Sequence, residues 1–193
     1  MHDPVAVILA AGQGSRFRAL AGSDQDKLLA PCHGLTGDQR PVLEHVLLNL
    51  AGRVDRRLVI TRPQSTRIIA LARAHGCEVL LLESPGMGDS LAAAVAASAD
   101  ACGWLVLLGD MPFIAPATLE AVLASMSEEG IAVATGARGY GHPVGFGRAF
   151  GASLRALSGD QGARRLFTPD CLIEVQVSDT GIYRDIDMPG QLL

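Results

Sequence analysis

Near the start of the chain, Val5-Ala-Val-Ile-Leu9 places five apolar residues in a row and runs directly into Ala10-Ala-Gly-Gln-Gly-Ser-Arg16. A strand with one wet face alternates apolar and polar residues; an unbroken run closed by a Gly-rich turn is the pattern of a strand buried on both faces, inside a parallel sheet. Parallel neighbours need crossover connections, so helices must separate the strands. The rest of the chain supplies them. Helical spacing covers Val42–Leu50 and Ser65–His75, the latter stopped by Gly76 as a left-handed cap, and an Ala-rich helix opens at Ser84–Leu91 and runs to about Ala101. Leu119–Ser127 and Arg148–Leu157 read as further helices, and Ser158–Arg165 as the start of another with Asp160 as its N-cap. Between them, Arg57–Thr61, Glu78–Leu82, Gly103–Leu108 and Ile131–Thr135 read as strands, with Leu172–Val177 as an edge strand. The expected fold class is α/β: a Rossmann-like three-layer αβα sandwich with a mainly parallel sheet, in one domain over residues 1–193.

The turn after the first strand suits a polyphosphate. Gly12 and Gly14 allow close backbone approach and successive exposed N–H groups form an anion nest, while Ser15 and Arg16 add a hydroxyl and a five-donor cation. The dinucleotide-binding loop is disfavoured and the Walker A loop is excluded. Position 17 is Phe where a dinucleotide fingerprint needs Gly, and no G-x-x-x-x-G-K-[ST] string occurs. Of the 16 basic residues 15 are Arg, and the one Lys, Lys27, follows this loop, where a compact ammonium fits between phosphate oxygens.

A formal net charge of −4 with no basic cluster argues against a nucleic-acid surface. Cys32, Cys77, Cys102 and Cys171 have neither C-x-x-C nor metal-ligand spacing, so they read as small buried hydrophobes in a reducing compartment. The first apolar run is too short to span a bilayer and leads into no cleavage site. A soluble, cytoplasmic protein with no membrane partner is expected.

Further along, the apolar run from Gly103 ends in Gly109-Asp-Met-Pro112, which puts Asp110 at the carboxyl end of a strand, where open α/β sheets bind ligands. A carboxylate there fits a Mg²⁺ shared with nucleotide phosphates. Gly86-Met-Gly-Asp-Ser90 opens a helix that Asp89 or Ser90 can cap, and Gly139-Tyr-Gly-His-Pro-Val-Gly-Phe-Gly147 packs a strand closely against something flat. Arg164 is either a phosphate clamp or a solvated helix arginine. Asp185 and Asp187 alternate about Ile186, which in an extended segment turns both carboxylates to one side.

Taken together, L-A-A-G-x-G-x-R-F with a downstream K-L-L, then G-M-G-x-S-L, G-D-M-P, G-H-P-V-x-F and a terminal D-I-D resemble, in order and over nearly the whole chain, the MobA-like nucleotidyltransferases. Within that family they most resemble the molybdenum cofactor (CTP:molybdopterin) cytidylyltransferases of the MocA group. The resemblance implies a nucleotide-diphospho-sugar transferase-like fold, and transfer of CMP from CTP to the phosphate of molybdopterin with release of pyrophosphate. It implies that Leu9, Ala10, Ala11, Gly12, Gly14, Ser15, Arg16, Lys27, Gly88 and Ser90 hold the nucleotide, with Arg16, Lys27 and Asp110 catalytic. Asp110 and Asp187 would bind Mg²⁺, and His142 and Arg164 the acceptor. Implied partners are CTP or another NTP, a molybdopterin-type substrate, and molybdoenzymes of the xanthine dehydrogenase group or their chaperones. GTP:molybdopterin, sugar phosphate or phospholactate transfer keeps the same chemistry, and a binding-only nucleotide module is the rival outside catalysis. Two departures stand out: the segment between Arg16 and Lys27 is longer than the family's usual spacer, and a polar insert, Cys32–Gln39, precedes Arg40.

Overall fold

The structure is a computed structural model that describes residues 3–22, 25–83 and 86–192. In chain order its elements are β1 (Val5–Leu9), α1 (Ser15–Ala21), β2 (Pro31–His33), β3 (Gln39–Pro41), α2 (Val42–Leu50), β4 (Arg56–Thr61), α3 (Thr66–Ala74) and β5 (Glu78–Leu81). There follow α4 (Met87–Ala97), β6 (Gly103–Leu108), α5 (Pro116–Ala124), β7 (Ile131–Gly136), β8 (Gly139–Gly147), α6 (Gly151–Arg155) and β9 (Leu172–Gln176).

Seven strands form one sheet in the order β5-β4-β1-β6-β8-β7-β9. All pair in parallel except β8, which runs antiparallel to both β6 and β7. That exception is local in origin: β7 and β8 are joined by a two-residue turn closed by Gly139 at φ +93°, and so short a link permits only a hairpin. The mainly parallel αβα sandwich expected from the sequence is the fold observed. Strand β1 sits mid-sheet, with both faces covered. Ala6 and Ile8 enter the core under α2, α3 and α5, and Val5 and Val7 the core under α4 and α6, as the two-residue period of a strand requires. The chain leaves β1 toward β4 on one side and later returns to β6 on the other, so the carboxyl end of β1 is a topological switch point with a crevice above it.

Several local expectations are corrected. The polar insert after Cys32 is a small hairpin, β2–β3, turned at Gly37 with φ +81°. Helix α4 stops at Ala97 and not near Ala101, because the Ser98 hydroxyl turns back onto the Ala94 carbonyl at 2.7 Å and accepts the Trp104 indole N–H at 3.0 Å. Helix α5 begins at Pro116, three residues before Leu119, since proline is favoured in a first turn. Arg148–Leu157 is split into a 3₁₀ turn (Arg148–Phe150) and the short α6. No helix starts at Ser158. Gly159 adopts φ +58° and gives its N–H to Asp89 at 2.7 Å, a tertiary bond that replaces a helical one, so Asp160 caps nothing and only a 3₁₀ turn forms at Ala163–Leu166. Cys32 and Cys77 are buried as expected, but Cys102 is exposed and Cys171 half-buried. Among the described residues no helix is long and apolar enough to cross a membrane.

Gly147 shows what the glycines of β8 do: a Cβ there would run into the backbone carbonyls of Ser127 and Glu128. The C-terminal segment, which follows β9, is tied down by Asp179. Its carboxylate accepts the Ala115 N–H (2.8 Å) and the Thr118 hydroxyl (2.7 Å) at the start of α5, and the Gly181 N–H (2.8 Å) in its own segment. Asp179→Ala strands three donors. It is expected to lower unfolding free energy by about 2–3 kcal/mol, the scale of lost charge-assisted bonds, read from urea denaturation against the parent.

Candidate functional site

The crevice at the β1 switch point holds three adjoining hollows. The central cleft, about 520 Å³, is lined by Leu9, Ala11, Gly12 and Ser15 from the first loop, and by Met87, Ser90, Asp110 and Asp160 opposite. A Cβ on Gly12 would meet nothing within 4 Å, so its backbone faces open space. Gly14 adopts φ +59°, a conformation glycine takes without strain, and this turns the chain into α1. A second hollow, about 200 Å³, lies between Gly14, Ser15, Arg16, Lys27 and Asp187.

The long spacer does not keep Lys27 away. Asp26 caps the 3₁₀ turn Lys27–Leu29 by accepting the Leu28 N–H at 3.0 Å, and this aims the lysine back across the loop, its stem against Gly14. Its ammonium donates to Asp110 Oδ2 at 2.5 Å and Asp187 Oδ1 at 3.3 Å. Arg16 reaches the other oxygen of Asp187 at 2.9 Å, but at 80% side-chain exposure this pair adds little stability. Lys27 and Asp110 are only 13% and 18% exposed. Burial is the largest single influence on the lysine and would lower its pKa; the charges and hydrogen bonds of Asp110 and Asp187 together outweigh it, so the pKa lies above the ordinary lysine value.

One ammonium reaches both carboxylates, so their bonded oxygens lie no farther apart than the sum of those two distances. Asp110 Oδ1 is buried without a hydrogen-bond partner, which suits a cation ligand. Among the described residues no group of three or more His, Cys, Asp and Glu side chains is gathered for a metal. An ion held by Asp110 and Asp187 would take its remaining ligands from phosphate and water. Asp187 is brought there by its segment, where the Ile186 N–H bonds the Asp110 carbonyl at 2.9 Å.

A third hollow, about 210 Å³, shares Leu9 and Met87 with the central cleft and is lined by Tyr140, His142, Phe146, Arg164 and Phe167. His142 and Arg164 thus face one pocket, with the Arg164 guanidinium 5.8 Å from the Tyr140 ring centroid. His142 Nδ1 is buried and unpartnered. Burial pushes the imidazole pKa down, more than the Val106 backbone bond and the charges of Asp110 and Asp185 push it up.

Three expected site residues sit differently from the rest. Ala10 points into the core, its N–H on the Ile60 carbonyl and its own carbonyl under the Thr61 hydroxyl. Gly88 is pressed against the 158–161 backbone, where a Cβ would lie 2.8 Å from the Gln161 carbonyl oxygen. Ser90 lines the cleft but caps nothing, its hydroxyl turned to the Gly86 carbonyl at 3.3 Å, and Asp89 holds Gly159 instead of its own helix. Met87 and Asp160 were missed as cleft residues. The glycines at 159 and 162 were the available sign that Asp160 belongs to a loop.

Residues 6–175 match the family model described as the MobA-like NTP transferase domain. The chain belongs to this family. It is 35% identical over 152 residues to the bifunctional protein GlmU of Halorhodospira halophila, covering 77% of this chain and 29% of that protein. The chain thus spans less than a third of the length of the curated relatives it matches. Among solved structures, Mycobacterium tuberculosis Rv0371c superposes with a TM-score of 0.79 at 27% identity, covering 98% of this chain and 95% of that one. Its complex with manganese superposes at 0.71 and 28% identity, covering 91% and 88%. The family assignment agrees with this MobA-like domain's sheet and with the crevice at its β1 switch point.

Because the folded pKa of His142 is depressed, the unfolded chain binds its proton first as pH falls, so this residue lowers stability progressively below pH ~6.5. His142→Gln is expected to lose less stability than the parent between pH 7.5 and 5.5, measured by urea midpoints. Equal losses in both proteins would show that the imidazole does not titrate low.

Proposed function

We propose that this protein is a Mg²⁺-dependent cytidylyltransferase that moves CMP from CTP onto a phosphate-bearing acceptor, molybdopterin or its molybdenum form. The observation that carries the reading is the convergence of Lys27, Asp110 and Asp187, from three distant parts of the chain, beside the glycine loop. Family membership supports nucleotidyl transfer, and the manganese complex of Rv0371c supports a divalent cation in the same fold.

In this reading the triphosphate lies over Gly12, Gly14 and Ser15, with Arg16 and Lys27 as its cations. The base lies against Leu9 and Ala11 and beside Ser90, in the central cleft. The acceptor enters the neighbouring aromatic pocket, where Tyr140, Phe146 and Phe167 suit a planar heterocycle, and Arg164 and the unpartnered His142 Nδ1 suit its polar groups. The two hollows share Leu9 and Met87, so both substrates meet over one floor. An acceptor phosphate oxygen forms a bond to the α-phosphorus of CTP while the bond to the bridging oxygen breaks and pyrophosphate leaves. That nucleophile is already ionised, so no general base is required. Mg²⁺ held by Asp110 and Asp187 would neutralise charge on the phosphates. The chain's own part is positioning, with Lys27 transferring its hydrogen bonds from the carboxylates to the triphosphate.

Mixing each NTP with the acceptor and Mg²⁺, and identifying the product by mass, tests the whole reading; release of pyrophosphate with no acceptor-linked CMP would refute it. Lys27→Ala and Asp110→Asn are each expected to cut turnover on the order of a hundredfold or more, with circular dichroism showing both variants folded at the assay temperature. Near-normal pyrophosphate release from Lys27→Ala would remove its catalytic role.

Base choice is expected to depend on Ala11, which lines the cleft and whose methyl leaves room for one ring more easily than for two. A single methyl is worth only about 1–3 kcal/mol, so Ala11→Gly should raise kcat/KM for GTP relative to CTP by a modest factor. No relative gain would remove the methyl from the account.

A further inference from the structure

On the other side of α1 lies a fourth hollow, about 280 Å³, that shares no wall residue with the three described above. Arg18 from α1, Arg62 just past β4 and Arg67 in the first turn of α3 line it. None of the three makes an ion pair or a side-chain hydrogen bond among the described residues, and Arg62 Nε is buried without an acceptor. Asp26 is the only acid among the described residues of the wall, and its carboxylate accepts the Leu28 N–H. Gathering three guanidiniums around a single carboxylate leaves an excess of positive charge, whose free-energy cost a bound anion would lower. The concentration is also local, since the chain as a whole carries a net charge of −4.

The wall favours one chemistry. A flat carboxylate is satisfied by a single arginine fork, whereas donors converging from α1, from the β4–α3 loop and from α3 suit the several oxygens of a tetrahedral group. Ser65 and Thr66 add neutral donors, while the Gln64 amide donates to Glu83 at 3.1 Å, and α3 opens with no side-chain cap and no acid in its first turn. The wall also adjoins Lys27 along the chain. Gln25, Asp26 and Leu29 flank Lys27 in sequence, and Arg18 follows Arg16 by two residues. We propose that this hollow is an oxyanion site for a phosphoryl-bearing ligand, distinct from the substrate clefts, and that its occupancy braces the turn carrying Lys27. The proposal is independent of the transferase reading, because binding is measured without metal, acceptor or turnover.

The test is a ¹H–¹⁵N titration of the whole chain with inorganic phosphate, pyrophosphate and CTP in turn, following the amides of Arg67 and Ile68, with Gly12 and Gly14 reporting the substrate loop separately. Saturable shifts at Arg67 and Ile68 are expected, weakened about tenfold in Arg62→Gln and in Arg67→Gln. Tighter binding of pyrophosphate than CTP at these amides would assign the site to a free anion, and the reverse to the phosphates of a nucleotide; either result supports an oxyanion site. Absence of saturable shifts with all three probes would overturn the proposal, as would unchanged affinity in both variants. Should Arg62→Gln fail to fold by circular dichroism, the exposed Arg67→Gln carries the test.

Discussion

Two carboxylates brought to one rim of a sheet repel each other, and in this protein a single ammonium makes their approach tolerable. Lys27 stands between Asp110 and Asp187, mostly shielded from water, where a point charge acts through a lower effective dielectric than at the surface. The arrangement depends on the whole chain being folded. Asp110 hangs from the end of β6, Lys27 from a turn capped by Asp26, and Asp187 from a segment anchored through Asp179 to α5 and through Ile186 to the Asp110 carbonyl. The three charges also explain why the lysine stays protonated despite its burial, since each carboxylate favours the charged form.

The division of the crevice follows from the sheet. Strand β1 ends between β4 and β6, so its glycine loop borders the polar hollow on one side and the aromatic pocket lies beyond β6, over β8. The antiparallel β8 brings Tyr140, His142 and Phe146 to that pocket, and the loop at 158–162 closes onto the start of α4. Gly86 and Gly88 are needed for this closure because the backbone at Gly159–Gln161 occupies the space their side chains would fill. The central cleft and the aromatic pocket thus share one floor at Leu9 and Met87, and the polar hollow around Lys27 joins the cleft at Ser15.

Burial sets the chemistry of the two pockets differently. In the polar hollow, opposite charges offset desolvation and keep Lys27 ionised; in the aromatic pocket, His142 has only weak charged company and its neutral form is favoured. A neutral imidazole with an unpartnered nitrogen can exchange a hydrogen bond with a bound molecule without bringing a charge into an apolar place.

What the sequence determined by itself was whatever short-range physics decides. The apolar run at Val5–Leu9, the glycines after it, the proline opening α5 and the left-handed Gly76 act within a few residues, so the central strand, its loop and the strand–helix alternation were legible. Asp110 at the end of an apolar strand was legible for the same reason. Only the tertiary structure decided which distant groups meet. The Lys27 bridge across 83 and 160 residues, the choice of Asp89 to hold Gly159 and not its own helix, and the inward turn of Ala10 all depend on competition for hydrogen-bond partners that the local sequence does not contain. The helix expected from Ser158 failed on that competition, and the place of Asp160 in the cleft, beside Gly12, Met87 and Asp110, was settled by elements far along the chain.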